Sequence, residues 1–191
     1  GMKLQILSHN TVNLKEFVSF WSQFYNYAYE ELYTTRIDKK QFSGEDLIEL
    51  FKWKNGGNLS AKKQNVLESI IKKLDIINVQ KADFCKDTFL AEFKFMKGII
   101  WKIYLLHIIA PREYPIFDQH VCRAFYYIDR DQKEEVPFKN SEKEKLYFDE
   151  YVPFFSKLLK DGISRKKLDE SLWAFGKFLK TPIGKQYLTN K

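Results

Sequence analysis

Asp118 stands out by its neighbours. It closes the run Tyr114-Pro115-Ile116-Phe117, and a helical pattern starts directly after it, with Val121, Ala124, Phe125 and Ile128 at helix spacing. An aspartate in that position caps a helix by accepting bonds from the first backbone N–H groups, and it sits at the positive end of the helix dipole. Turned toward a cleft, the same carboxylate suits a second task. It can stabilise a sugar carbon that becomes cationic as a glycosidic bond breaks, or orient water toward that carbon. Three readings of Asp118 therefore stand together: a cap only, the remnant of a site, and an active carboxylate.

Other residues suit an anionic or planar ligand. Arg112 and Arg123 flank Asp118 in the chain and are candidates for phosphate contacts, with surface ion pairing as the alternative. Trp101, Tyr104 and Tyr114 offer rings that either stack on a ligand or fill a core. Arg165, Lys166 and Lys167 fall in the first turn of a helical pattern, where the dipole disfavours cations, so they form a basic patch for an anionic partner or are merely tolerated. His120 and Cys122 are two residues apart and share no helix face, which argues against a metal pair or a Cys–His nucleophile. His107, within an apolar helix, reads as a satisfied core group.

The elements that must position these groups are helical. Leu14, Phe17, Trp21, Phe24, Ala28 and Leu32 mark one amphipathic helix with Asn13 as its N-cap. Ser43-Gly44-Glu45-Asp46 has the form of a capping box opening a second helix that ends near Lys54, and Gly56-Gly57-Asn58 is the turn that ends it. No Lys-Ser/Thr follows those glycines, so they do not read as a phosphate loop. Ser60 opens a third helix. A further helical region runs from about Thr88 to Ile109 with an interruption at Gly98, and Pro111 and Pro115 bracket an extended link. The Asp118 helix ends near Asp129, and residues 130–140 form a charged loop. Ser141 caps another helix that Pro153 kinks or restarts. Ser164 opens the last, stopped by Lys180-Thr181-Pro182, and Met2–Leu7 is a candidate short strand. The expected class is all-α, in a single domain over residues 2–191. Its central part covers about 88–130, flanked by helices over 12–78 and 141–180.

Composition bounds the partners. With 45% hydrophobic residues, 17% of all residues being aromatic, the chain can bury a core rich in Phe, Tyr and Trp. The longest apolar run, near 99–110, is broken by Lys102 and His107 and is too short to span a bilayer, so no membrane association is expected. Two cysteines, Cys85 and Cys122, supply neither a disulfide framework nor a four-ligand metal site, which suits a reducing cytoplasm. A net charge of +7 favours an anionic partner such as nucleic acid, although only five of the 32 basic residues are Arg.

The segment Met96-Lys97-Gly98-Ile99-Ile100-Trp101-Lys102, followed by Phe117-Asp118-Gln119-His120-Val121, resembles the helix-hairpin-helix DNA glycosylase superfamily. In that superfamily a hairpin of the form Leu-Pro-Gly-Val-Gly-x-Lys leads into a helix, and a later Val-Asp-Thr-His-Val sets an aspartate at the start of the next. Gly98 falls on the first hairpin glycine and Lys102 on the lysine that some members use as an amine nucleophile. Ile100 stands where the second glycine would be, and Lys102 precedes Asp118 by 16 residues. The resemblance covers about 30 of the 191 residues. It implies a compact multi-helix core and base excision from duplex DNA without sequence preference, the target base being flipped out of the helix. It further implies Asp118 as the catalytic carboxylate and Lys102 as a candidate nucleophile. Gly98, Trp101, Tyr114 and the basic residues Arg112, Arg123, Arg165, Lys166 and Lys167 would then meet the nucleic acid. No cofactor and no metal are implied. The competing expectation is a non-catalytic helical domain that binds nucleic acid or protein, with Asp118 a cap alone.

Overall fold

Twelve α-helices are found in the computed structural model, which describes residues 2–4, 11–132, 134–159 and 162–189. They are α1 (Leu14–Ser22), α2 (Glu30–Thr34), α3 (Gly44–Asn55), α4 (Ala61–Ile71), α5 (Leu74–Ala82) and α6 (Lys86–Glu92). There follow α7 (Ile99–Ile109), α8 (Gln119–Arg130), α9 (Asn140–Leu146), α10 (Val152–Leu158), α11 (Arg165–Lys180) and α12 (Pro182–Thr189). A π-helical turn over Tyr147–Tyr151 joins α9 to α10. The all-α expectation holds, with no strand among the described residues. Of the candidate strand, residues 2–4 have no regular structure and residues 5–7 lie outside the described residues.

Helix starts follow their side-chain caps. Asn13 Oδ1 accepts from Glu16 N at 2.9 Å, and Ser60 and Ser164 accept from Lys63 N and Lys167 N. Ser43 and Asp46 form the reciprocal box expected for α3, whose end is set by Gly56 in the left-handed region at φ 77°. Three expectations change. The first helix does not reach Leu32: it stops at Ser22, and α2 starts after Tyr29, whose backbone is left-handed. Ser141 is inside α9 rather than capping it, because the helix begins at Asn140, whose side-chain amide donates to Lys97 O at 2.7 Å. The helix opened by Ser164 stops at Lys180 as expected but is not the last: Pro182 takes the first position of α12, where its missing N–H costs nothing.

Pro153 does restart a helix. The π-helical turn just before it leaves room for the ring where a regular α-helix would clash with a carbonyl four residues back.

Where the sequence reads as one domain, internal contacts group the chain into two compact units. One comprises Gly1–Tyr25, Gln119–Val136 and Phe154–Lys191; the other comprises Asn26–Asp118 and Pro137–Pro153. In the first, α11 packs on both α1 and α8. Its rings interlock, with Trp21 5.0 Å from Phe175 and Phe125 4.9 Å from Phe154. α8 and α11 meet closely at Gly176, since a Cβ there would overlap the carbonyl group of His120. In the second, α7 is buried along most of its length, as its near-continuous apolar sequence requires. Tyr104 belongs to this core: it is fully buried and its hydroxyl donates to Leu50 O at 2.8 Å. His107 is satisfied on both sides, with Tyr33 Oη at 2.7 Å from Nε2 and Tyr114 O at 2.7 Å from Nδ1. Since the carbonyl can only accept, Nδ1 carries the proton and the tyrosine donates to Nε2.

The α3 cap has a pH consequence. Asp46 is buried, which pushes its carboxyl up, but hydrogen bonds from Lys39 and Ser43 and the Lys39 charge together pull it below its ordinary value of 3.8. A depressed carboxyl contributes stability that is present above 3.8 and is lost as pH falls through the lower folded value. Asp46→Asn should therefore cost about 1–2 kcal/mol at neutral pH and flatten the acid limb of stability. Urea unfolding of both proteins from neutral pH into the acid range measures this, and parallel pH curves would defeat it.

Candidate active site around Asp118

The peptide leading into Asp118 is held from several directions. Tyr147 Oη donates to Pro115 O at 2.7 Å. Phe117 is fully buried, with its ring 5.4 Å from Tyr147 and 5.1 Å from Tyr151. The Lys54 amine lies 3.5 Å from Phe117 O. Burial of Ile116 and Phe117 thus sets the register of the next residue. Asp118 emerges half-buried, directly before the first residue of α8.

One group that feels its charge, Tyr27, lies at the start of the second unit. Burial raises the pKa of the Tyr27 phenol, and the negative charges of Asp118 and then Glu30 raise it further. The phenol therefore keeps its proton through neutral pH and acts as a donor. It donates to Trp53 O at 2.8 Å, and Glu30 Oε2 accepts from Trp53 Nε1 at 3.2 Å. Lys54 follows Trp53 and lies over the Tyr104 ring at 5.6 Å. Beneath them the rings are layered, with Tyr33 4.5 Å from Trp53 and Trp53 5.8 Å from Tyr104. Glu30, the protonated Tyr27 phenol and the Lys54 amine thus lie about Trp53 and Tyr104, and Asp118 acts on the phenol through its charge. Such a set can accept from a ligand, donate to it, and oppose positive charge that develops on it.

The other expected site residues are distributed as follows. Gly98 is the exposed N-cap of α7 at φ −78°. Lys102 is half-buried one turn into α7, and no hydrogen bond or ion pair among the described residues joins it to Asp118. Trp101 is half-buried against Phe51 at 4.8 Å, with the Lys63 amine 5.9 Å over its ring. Tyr114 is half-buried, with its ring 5.5 Å from Phe84 and 6.1 Å from Phe148. Arg112 is exposed in the turn after α7.

Arg123 is corrected outright. It is buried, forks onto both Glu135 oxygens at 3.1 and 2.9 Å, donates to Gly176 O at 2.8 Å and reaches His120 Nδ1 at 3.2 Å. A guanidinium so committed cannot also serve a phosphate. It braces α8 against α11 and the loop after α8, and it lowers the Glu135 carboxyl by hydrogen bonding. The cations opening α11 find a local reason as well. Lys166 and Lys167 lie 3.5 and 3.4 Å from the two oxygens of buried Glu170, one turn on, and the Arg165 guanidinium lies over Phe155 at 5.4 Å.

No protein-family model, no curated protein and no solved structure matches this chain.

Tyr27, Glu30 and Lys54 were not expected at the site. The signal for the first two was the unusual run Tyr25-Asn26-Tyr27-Ala28-Tyr29-Glu30, whose helical spacing hid a chain reversal. Lys54 carried no signal, since it sits among many helix-terminal lysines.

Proposed function

We propose that the protein is a DNA base-excision glycosylase that uses Asp118 as its carboxylate. One observation carries the reading: Asp118 is half-buried directly before α8, after a peptide fixed by the Tyr147 hydrogen bond to Pro115 O and by the fully buried Phe117. In this reading a base leaves the duplex stack and the bond from its nitrogen to the sugar breaks. Asp118 opposes the positive charge on the sugar carbon and directs water to it. Lys102, or Lys54 beside Phe117 O, is the amine that would attack the same carbon in its place.

Gly98 supports a phosphate contact at the start of α7. Its φ is ordinary and an added Cβ would meet nothing within 4 Å, so neither backbone nor packing calls for glycine. A phosphate approaching the uncapped amides of α7 from outside does. Exposed Lys97 offers charge directly beside Gly98 in the chain. The proposed compartment is the cytoplasm, where both cysteines stay reduced.

A second reading, a non-catalytic binding domain, is favoured by exposed aromatics at the end of α1. Phe20 and Phe24 are 47% and 56% exposed with their rings 5.2 Å apart. The two readings share one expected result. Duplex DNA should bind without sequence preference and weaken steeply with salt. Roughly a fortyfold loss between about 50 and about 200 mM follows if about three phosphates are neutralised. Filter binding across that range tests it, and a flat response removes nucleic acid as the partner. The enzymatic reading is tested by base release from duplexes carrying damaged or mispaired bases, and release from none of them rejects it.

A further inference from the structure

Tyr33 and His107 form a buried pair whose chemistry the glycosylase reading leaves idle. Tyr33 is 5% exposed and His107 is 7% exposed. The phenol donates to Nε2 at 2.7 Å, and Nδ1–H donates to Tyr114 O at 2.7 Å. In this tautomer the lone pair of the imidazole is aimed at the phenol proton. Buried Tyr104 and Tyr147 differ in one respect. Their hydroxyls donate to the carbonyls of Leu50 and Pro115, at 2.8 and 2.7 Å. A carbonyl accepts a hydrogen bond but does not keep a proton, whereas an imidazole does.

A phenol that loses an electron becomes a strong acid, so it is readily oxidised only where a base stands by to take its proton. His107 is such a base. After the transfer Nε2–H donates back to the phenoxyl oxygen, and Nδ1–H stays on Tyr114 O, so no buried donor is left unpaired. A path for the electron is present as well. Trp53, 6% exposed, lies 4.5 Å from Tyr33 with the two rings 29° from parallel. Its Nε1 donates to Glu30 Oε2 at 3.2 Å, and a carboxylate there favours positive charge on the indole. Half-buried Tyr27, its ring 5.3 Å from Trp53, and half-buried Glu30 bring the path to the surface. All of these residues belong to the continuous part of the second unit.

We propose that Tyr33 is a one-electron redox site, coupled to His107 by its proton and to the surface by Trp53. The class of substrate is an outer-sphere one-electron oxidant. Trp53 gives the oxidant one electron, and Tyr33 returns one electron to the indole. The Tyr33 O–H bond breaks as it does so, and the proton passes to His107 Nε2. A neutral phenoxyl beside an imidazolium remains, the oxidant is reduced by one electron, and the charge of the protein rises by one. This activity does not depend on the glycosylase reading.

The test uses the full chain, as wild type, Tyr33→Phe, His107→Gln and Trp53→Phe. Each is oxidised by tris(bipyridine)ruthenium(III) generated in a light flash, and indole and phenoxyl radicals are followed by transient absorption. In wild type an indole signal should decay into a phenoxyl that outlives those of exposed tyrosines such as Tyr29, because a buried ring cannot meet a second one. That long-lived phenoxyl should be lost in Tyr33→Phe. It should be lost in His107→Gln too, whose amide accepts the phenol hydrogen bond but does not take its proton. In Trp53→Phe it should form more slowly. Its formation in wild type should slow in deuterium oxide, a measurement that needs no variant to fold. Absence of a long-lived phenoxyl in wild type would overturn the proposal. So would its survival in Tyr33→Phe or in His107→Gln, equal rates in the two solvents, or formation in Trp53→Phe at the wild-type rate.

Discussion

Asp118→Asn is expected to fold and melt like wild type and to lose base release by two to three orders of magnitude, about 3–4 kcal/mol in the barrier. Asn caps a helix nearly as well as Asp, so the start of α8 survives the change. What disappears, under the proposed glycosylase function, is the charge that would oppose a cationic sugar carbon. The same loss takes the negative field off Tyr27, whose raised phenol should move back toward its ordinary value of 10.0 as one of its three causes is removed. Spectrophotometric titration of the tyrosines therefore reports on the site without any substrate. Asp118→Ala is a poorer test, because it removes cap and charge together. Asn retaining full activity would leave the carboxylate as a cap. Borohydride trapping on abasic duplex, repeated with Lys102→Gln and Lys54→Gln, would tell which amine, if either, attacks.

Gly176→Ala should be among the most damaging single changes in the chain. Its Cβ would overlap the backbone carbonyl of His120, not a side-chain tip that can swing away. The two helices must part, and Arg123 Nη1, now 2.8 Å from Gly176 O, loses its seat. The helix-propensity gain from Ala, up to about 1 kcal/mol, is outweighed by a cost of about 3 kcal/mol or more. The melting temperature should fall by about 6–12 °C for a chain of this size. Gly98→Ala is the matched control, expected to melt like wild type because its Cβ enters open space. Calorimetry of the pair decides it, and a Gly176→Ala protein as stable as wild type would mean that α8 and α11 do not cross as described.

Legibility tracked the range of the cause. The caps at Asn13, Ser43, Ser60 and Ser164 are local, their partners three residues on, and each helix opens where they stand. The break between α1 and α2 was hidden because Phe24, Ala28 and Leu32 continue the helical period by spacing alone. What ends the helix is a clamp onto Trp53, 26 residues from Tyr27. Arg123 misled for the same reason. Its burial depends on a carbonyl 53 residues away and on a carboxylate in a charged loop, and neither leaves a periodic trace. Asp118 was found because an apolar run, an aspartate and a helix start lie side by side, whereas Tyr27 and Lys54, tied to Trp53 O and to Phe117 O, come to that region only through the fold.

The first compact unit is stitched from three separated stretches of chain, and that has a consequence for its birth on the ribosome. Trp21 of α1 rests on Phe175 and Phe178 of α11, at 5.0 and 5.1 Å. Those partners are made roughly 150 residues later, about 8–30 s at ordinary rates of synthesis. Most of the second unit, Asn26–Asp118, is continuous and can condense in that interval. The aromatic stripe of α1 must meanwhile wait uncovered, the point in the life of the chain at which chaperone capture or misassociation competes with folding.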